Sequence, residues 1–392
     1  MNDDVLAGVR VLDFTTIVSG PYCTRLLADL GAEVIKTEPP EGDYIRTQPP
    51  LRDGRSAYFA HLNCGKKSLA VDLKQPLAAE LMREIADRCD ILVENSRPGV
   101  MRRLGLDYEA LSERNPRLIY CSISGFGQTG PWAGRSAYAP ILHAACGYDM
   151  ANLSYQRGLE APLRTGVYIG DVLGGACAFG AIQTALYRRE RTGRGEYIDL
   201  AMMDAMLGML VYEFQEAQFP VANNAKGFPP TPTKDGFVMI AFVKPNNFEA
   251  TARAMGHPEW IADTRFSTID SRIKNRDELM GLVANWAATR TSAECEAALD
   301  AAGVPCSRYY TVREAQALPH LAERGSIETI DDGSGPMRVP NPAFRMARSR
   351  ARARDYVPAL GADSERILST MLGYSPERIA ELRAKKILTA RA

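Results

Sequence analysis

Histidine is scarce in this chain of 392 residues. There are four, His61, His143, His257 and His320, and no two form a His-x-x-x-His pair or join a cysteine cluster. The eight cysteines, Cys23, Cys64, Cys89, Cys121, Cys146, Cys177, Cys295 and Cys306, are equally scattered, with no Cys-x-x-Cys spacing. Structural zinc and a disulfide scaffold are therefore not expected, and the thiols read as small buried hydrophobes. Neither charge is in excess, Lys and Arg totalling 47 and Asp and Glu 47. That balance removes the electrostatic footprint of a protein that binds nucleic acid or an anionic membrane. No uninterrupted apolar run is long enough to cross a bilayer, and the opening Met1-Asn2-Asp3-Asp4 is neither basic nor followed by an apolar stretch. A soluble, cytoplasmic protein is the expectation.

What is present is alternation. Short apolar runs at residues 9–14, 32–37, 68–73, 91–94 and 118–123 are separated by helical patterns at 22–30, 78–88 and 108–114. Strands buried on both faces and interleaved with helices predict an α/β fold with a parallel, doubly wound sheet. In such sheets ligands bind beyond the carboxyl ends of the strands. Those ends carry Ser19-Gly20-Pro21, Glu38-Pro39-Pro40, Asn95-Ser96-Arg97-Pro98-Gly99 and Gly125-Phe126-Gly127-Gln128-Thr129-Gly130-Pro131. The last contains the spacing of a dinucleotide fingerprint, but Pro131 and Trp132 follow its third glycine and no helix opens there. Nicotinamide binding is rejected on that ground.

The length calls for a large and a small domain. A strand at 196–200 and a helix at 202–216 extend the first. Residues 220–235, rich in Pro, Gly and Asn, read as a linker. Residues 236–325 then read as a small α+β domain and 326–345 as a second linker. The C-terminal helices return to the first domain, which comprises 1–219 and 332–392.

One carboxylate stands out. Asp171 lies between Gly170 and the glycine pair Gly174-Gly175, just before a helix expected at 176–189. An Asp there is a favoured helix cap, with its charge welcomed by the helix N-terminus. Two glycines in a first helical turn are costly unless something must approach the backbone closely.

Several further segments stand out in chain order: Leu12-Asp13-Phe14 with Ser19-Gly20-Pro21, Leu30-Gly31-Ala32-Glu33-Val34-Ile35-Lys36-Thr37-Glu38, Asn63-Cys64-Gly65-Lys66-Lys67-Ser68 and Val71-Asp72-Leu73-Lys74. Val93-Glu94-Asn95, the 121–131 stretch and Arg191-Thr192-Gly193-Arg194-Gly195 complete the pattern, which spans nearly the whole chain. Together, in this order, they resemble the class III CoA-transferases (formyl-CoA, carnitine and succinyl-CoA:dicarboxylate types). The resemblance implies that family's fold, a large Rossmann-like domain with a smaller α+β domain, assembled as an interlocked homodimer. It implies CoA transfer from an acyl-CoA thioester to a free carboxylic acid through an aspartyl-CoA thioester on Asp171. Coenzyme A or acyl-CoA is then a substrate, and no metal or permanently bound cofactor is called for.

Matching family positions imply CoA contacts from Val18 and Ser19 near the thioester, and from Val71, Leu73 and Lys74 around the adenine. Asn95, Arg97 and Arg103 would face the phosphates, and Ser136 and Tyr138 the pantetheine. Backbone N–H groups near Gly170, Gly174 and Gly175 are candidates for an oxyanion hole. Pro39, the Thr16-Ile17-Val18 run and the lack of a glycine-rich lid depart from the formyl-CoA enzyme, so formate and oxalate specificity is not implied. Tyr44, Arg46, Tyr58, His61, Arg164 and Tyr168 are the candidates for acceptor recognition. Arginine's fit to a second carboxylate favours a short dicarboxylate such as succinate.

Two alternatives stand beside this reading. A 2-methylacyl-CoA racemase or epimerase of the same fold would set a His opposite the Asp. That position falls on or beside Tyr138, with no His, and the partner glutamate falls near Pro232. His143 sits in an apolar run and reads as a core or interface residue. A non-catalytic CoA-binding homologue is the other, against which the retained Asp171 weighs.

Overall fold

A computed structural model describes residues 4–156, 158–221, 227–242 and 244–388. The chain forms two compact units, one running to Gln215 and resuming at His320, the other spanning Glu216–Pro319.

The first unit is built on six parallel strands: β1 (Arg10–Phe14), β2 (Glu33–Glu38), β3 (Lys67–Ala70), β4 (Ile91–Glu94), β5 (Ile119–Ser124) and β6 (Glu196–Ala201). Their order is β3-β2-β1-β4-β5-β6. The strands are short and apolar because each face is covered, and alternate residues feed different cores. Leu12 and Phe14 join Ile35, Leu92 and Tyr120 on one face, closed by helices at Ala78–Ala86, Ser364–Leu372 and Pro376–Ala384. Val11, Val34, Val93 and Cys121 join the other. That face is covered by α1 (Ser19–Asp29) and α2 (Ile169–Thr192), which pack closely on each other.

Several boundaries differ from the sequence reading. The long helix begins at Ile169, not 176, so Asp171 lies in its first turn and is not a cap. Against expectation this helix is long and apolar enough, by length and composition alone, to cross a membrane, with a mean hydropathy of 1.3 over its best window. Its stripe of Gly174, Gly175, Ala178, Ile182 and Ala185 is buried against α1 and the sheet, and 33% of that window is buried. Cys177 on its other side is exposed, unlike the six fully buried thiols.

The expected single helix at 202–216 is interrupted at Leu210. Within 326–345, read as a linker, Ile327–Asp331 and Pro336–Pro340 pair as an antiparallel hairpin. Ile330 and Val339 from its two strands bury with Cys64 and Ala353.

The second unit holds a three-stranded sheet of Cys306–Arg308, Phe237–Ile240 and Thr231–Pro232. Residues 231–232 of the predicted first linker thus form an edge strand, where proline's missing N–H is tolerated. Residues 222–226 of that linker lie outside the described residues. Helices Pro245–Ala254, Arg276–Ala288 and Ser292–Ala301 close a core of Phe248, Trp260, Phe266, Val283 and Trp286.

Candidate active site

The strand order reverses direction between β1 and β4, whose carboxyl ends therefore diverge into a crevice. A cavity of about 200 Å³ opens there. Thr16, Ile17 and Ser19 line it from β1, Asn95 to Pro98 from β4, and Ser124 and Gly125 from β5. The loop residues Arg135, Ser136 and Tyr138 and the carboxylate-bearing Asp171 complete the wall. A larger cavity of about 850 Å³, lined by Arg345, Arg348, Arg350 and neighbours, contains none of the residues singled out from the sequence.

The turn after β1 is fixed at every residue. Asp13, fully buried, accepts hydrogen bonds from the Thr15 N–H and hydroxyl, the Thr24 hydroxyl and Lys66 Nζ. Burial opposes its charge, yet Lys66, Lys36 and the two hydroxyls hold its carboxyl below the ordinary range. Lys36 Nζ donates to the Thr15 carbonyl and to Asp43, both at 2.8 Å. Asn95 clamps Thr16 from both sides, accepting from its N–H and donating to its carbonyl, each at 2.9 Å. The Ile17 N–H reaches Asp43. Ile17 has a φ of 68°, a conformation that a β-branched residue adopts only under strain. The surrounding bonds hold it, and the chain then enters α1 at Ser19.

Lys66→Met should leave the buried Asp13 short of a counter-charge and destabilise the first unit by about 3–5 kcal/mol. Urea denaturation reads this directly, and a loss below about 1 kcal/mol would contradict the ion-pair account.

Asp171 stands where helix starts converge. Its carboxyl is pushed up to about 6, chiefly by burial, and backbone N–H groups of Ala139 and Ser19 partly offset this by holding the ionised form. Ser19 opens α1, Ala139 opens the helix Ala139–Ala145, and Asp171 itself lies in the first turn of α2. The first residues of two other helices thus act on one carboxylate that itself lies in a first helical turn.

The Gly170 N–H, one of the groups a helix start leaves unmatched, donates to Nε2 of His143 at 3.3 Å. His143 is 1% exposed and burial lowers its pKa, so the ring is neutral, with its proton on Nδ1. Gly174 and Gly175 lie beyond the first turn, where N–H groups are used within the helix. The oxyanion role expected of these three glycines is therefore not available to them. Gly174 and Gly175 serve close approach instead: a Cβ would lie 2.7 Å from Met202 at the first and 2.4 Å from the Ser19 carbonyl oxygen at the second.

The sequence model of CoA-transferase family III matches residues 6–364. The chain belongs to CoA-transferase family III. Among curated relatives, a succinyl-CoA--D-citramalate CoA-transferase of Chloroflexus aurantiacus is 33% identical over 396 residues, covering 98% of this chain and 98% of that protein. A succinyl-CoA:glutarate CoA-transferase of Mus musculus is 33% identical over 391 residues, covering 96% of this chain and 88% of its own. A crystal structure of a CAIB/BAIF family protein from Brucella suis superposes with a TM-score of 0.82 at 31% identity, covering 94% of this chain and 100% of that one. Membership makes this protein an enzyme that moves CoA between an acyl-CoA thioester and a carboxylate.

Within this CoA-transferase, six residues named from the sequence meet in one cavity: Ser19, Asn95, Arg97, Ser136, Tyr138 and Asp171. Asn95 is committed to the Thr16 backbone and Ser19, so it positions the turn. Val18 is buried with Ile45, Phe59 and Leu62, outside the cavity lining. Val71 is buried and bridges Leu388, and Leu73 packs on the same core; Lys74 and Arg103 are exposed and not among the residues lining this cavity.

The acceptor candidates separate. Arg46 is consumed by a two-pronged pair with Glu38, a bond to the Pro358 carbonyl and a stack on Phe59, so it is structural and not an acceptor ligand. His61 is held neutral, its pKa lowered to about 4 by burial and Arg25. Tyr44 and Arg164 are exposed. Tyr58 stacks on Tyr168 at 6.5 Å, and its hydroxyl is pushed up by burial and by the nearby charges of Tyr168 and Asp171. Sequence reasoning passed over Arg135, which lines the cavity and stacks on Trp132 at 4.1 Å. Its signal was the Trp132-x-x-Arg135 spacing. Ser124 was missed as well.

Proposed function

We propose that the enzyme transfers CoA through a covalent aspartyl-CoA thioester on Asp171. The observation carrying this is a half-buried carboxylate in the wall of the strand-end cavity, whose ionised form the Ser19 and Ala139 N–H groups favour. A carboxylate oxygen attacks the thioester carbonyl, the C–S bond breaks and CoA leaves as the thiolate, giving a mixed anhydride. The thiolate attacks the Asp171 carbonyl, and the anhydride C–O bond breaks to release the first acid. The incoming carboxylate runs the same steps in reverse. The Ser19 and Ala139 N–H groups, which favour the ionised carboxylate, are the oxyanion donors in this reading, commonly about 3–4 kcal/mol for one such donor.

Acyl-CoA and a short dicarboxylate such as succinate fit best. Both relatives above are named for succinyl-CoA and a further dicarboxylate, glutarate or D-citramalate. Arg164 is the remaining cation among the acceptor candidates. Peptide mass mapping after incubation with succinyl-CoA should find CoA on Asp171, removable by hydroxylamine. An unmodified Asp171 in an enzyme that is turning over would refute the mechanism.

Racemisation is disfavoured by His143. Its Nε2 accepts from Gly170, the ring is buried, and the residue is not among those lining the cavity with Asp171. A chiral 2-methylacyl-CoA in deuterated water should show no α-exchange.

We further read the enzyme as an interlocked homodimer. Tyr187 on α2 is 68% exposed, Val211 75% and Phe219 70%, apolar surface that a partner would cover. Sedimentation at micromolar concentration should give a dimer; a monomer would overturn this reading.

A further inference from the structure

We propose that the Ser124 hydroxyl is a substrate-binding group, donating a hydrogen bond to an amide carbonyl in the pantetheine arm of CoA. This rests on the CoA-transfer reading above and adds a contact to it. Ser124 ends β5 and lines the cavity that contains Asp171. The residue is 6% exposed, and its Oγ is buried without any hydrogen-bond partner. Folded proteins leave few such groups unmatched, because a hydroxyl removed from water without a partner loses its hydration and gains nothing.

The fold has matched its neighbours. Ser122, two residues earlier and on the same side of the strand, accepts from the Tyr197 hydroxyl at 3.3 Å. From the adjacent strand end, Asn95 is committed to Thr16 and Ser19, and the Ser96 N–H donates to Glu94 at 2.8 Å. Of these groups at the strand ends, Ser124 alone keeps a buried hydroxyl with no partner, in a residue that lines the cavity.

The chemistry of that donor selects its acceptor. Arg97 and Arg135 line the same cavity and are exposed, suited to the phosphates of a ligand. A buried neutral hydroxyl has no charge with which to offset the desolvation of an anion, and it suits a neutral acceptor. Between its diphosphate and its sulfur, CoA carries only the pantetheine arm, whose polar groups include amides. A CoA lying with phosphates at the arginines and sulfur at Asp171 draws an amide past Ser124.

Ser124→Ala tests this with little risk to the fold. The apo variant should melt at or above the wild-type temperature, since an unmatched buried hydroxyl has been removed. Affinity for CoA, by calorimetry, should fall about 3- to 10-fold. The kcat/KM for succinyl-CoA and for succinyl-pantetheine should fall by the same factor, while kcat/KM for the acceptor acid stays unchanged. Unchanged CoA affinity, a loss confined to the acceptor, or a lower apo melting temperature would each overturn the assignment. Wild-type protein that binds no CoA would overturn the transferase reading with it, a result distinguishable from failure of the variant alone.

Discussion

Asp171→Ala should abolish transfer, with kcat reduced at least about 10⁴-fold, because the group that forms the covalent intermediate is gone. CoA affinity should change little, since the cavity wall is otherwise intact. Asp171→Glu keeps a carboxylate but displaces it by a methylene, and a misplacement of that order costs about 10²-fold. Activity in the alanine variant within tenfold of wild type would move the chemistry elsewhere. The pH dependence carries the same signature. Asp171 must be ionised to attack, and burial sets its pKa at about 6. The kcat/KM for the acyl-CoA donor should therefore fall as pH drops through 6. Stability runs the other way. A folded pKa above the ordinary 3.8 means the folded state binds the proton more tightly, so this group's contribution is full below 3.8 and lost as pH rises through 6. Asp171→Asn, neutral and isosteric, should be the more stable protein at pH 7, while inactive, a trade of stability for function.

Much of the fold was legible because its determinants are local. The strand at Ile91–Glu94 and the helix at Tyr108–Arg114 fall where an apolar run and a helical period place them. Thr291 and Glu294 close a capping box, a local pairing of residues three apart. What sequence could not show is set by partners far along the chain. Arg46 looked free because the Glu38 that holds it sits on a different element, and the Pro358 carbonyl lies 312 residues away. The start of α2 was misplaced by seven residues since Gly170, Gly174 and Gly175 are poor helix formers. Burial against α1 overrides that local preference. The hairpin at Ile327–Pro340 was hidden by prolines at both ends of its second strand, although Asp332-Gly333 is a turn signal. Ile17 gave no sign of its positive φ. The rules of local preference break at Ile17, which lines the cavity, and at the α2 glycines, which flank the cavity-lining Asp171 in sequence.

Gly175→Ala is the second large effect expected. Its added methyl would lie 2.4 Å from the Ser19 carbonyl oxygen and 3.2 Å from the Tyr22 ring, and backbone cannot yield as a flexible side chain does. Helices α1 and α2 must part, at an overpacking cost of about 1–3 kcal/mol. Moving α1 also moves the Ser19 N–H away from the carboxylate whose charge it favours. A displacement near 1 Å at a reacting group lowers kcat by about 10²-fold. Gly281, a helical glycine with open space around it, supplies the control. Gly281→Ala should instead stabilise its helix by about 0.5–1 kcal/mol and leave kcat alone. If Gly175→Ala retains wild-type kcat, the close approach of the two helices is not what aims Ser19 at Asp171. If it loses stability and kcat together while Gly281→Ala loses neither, the glycine pair beside Asp171 is there to bring one helix start against another.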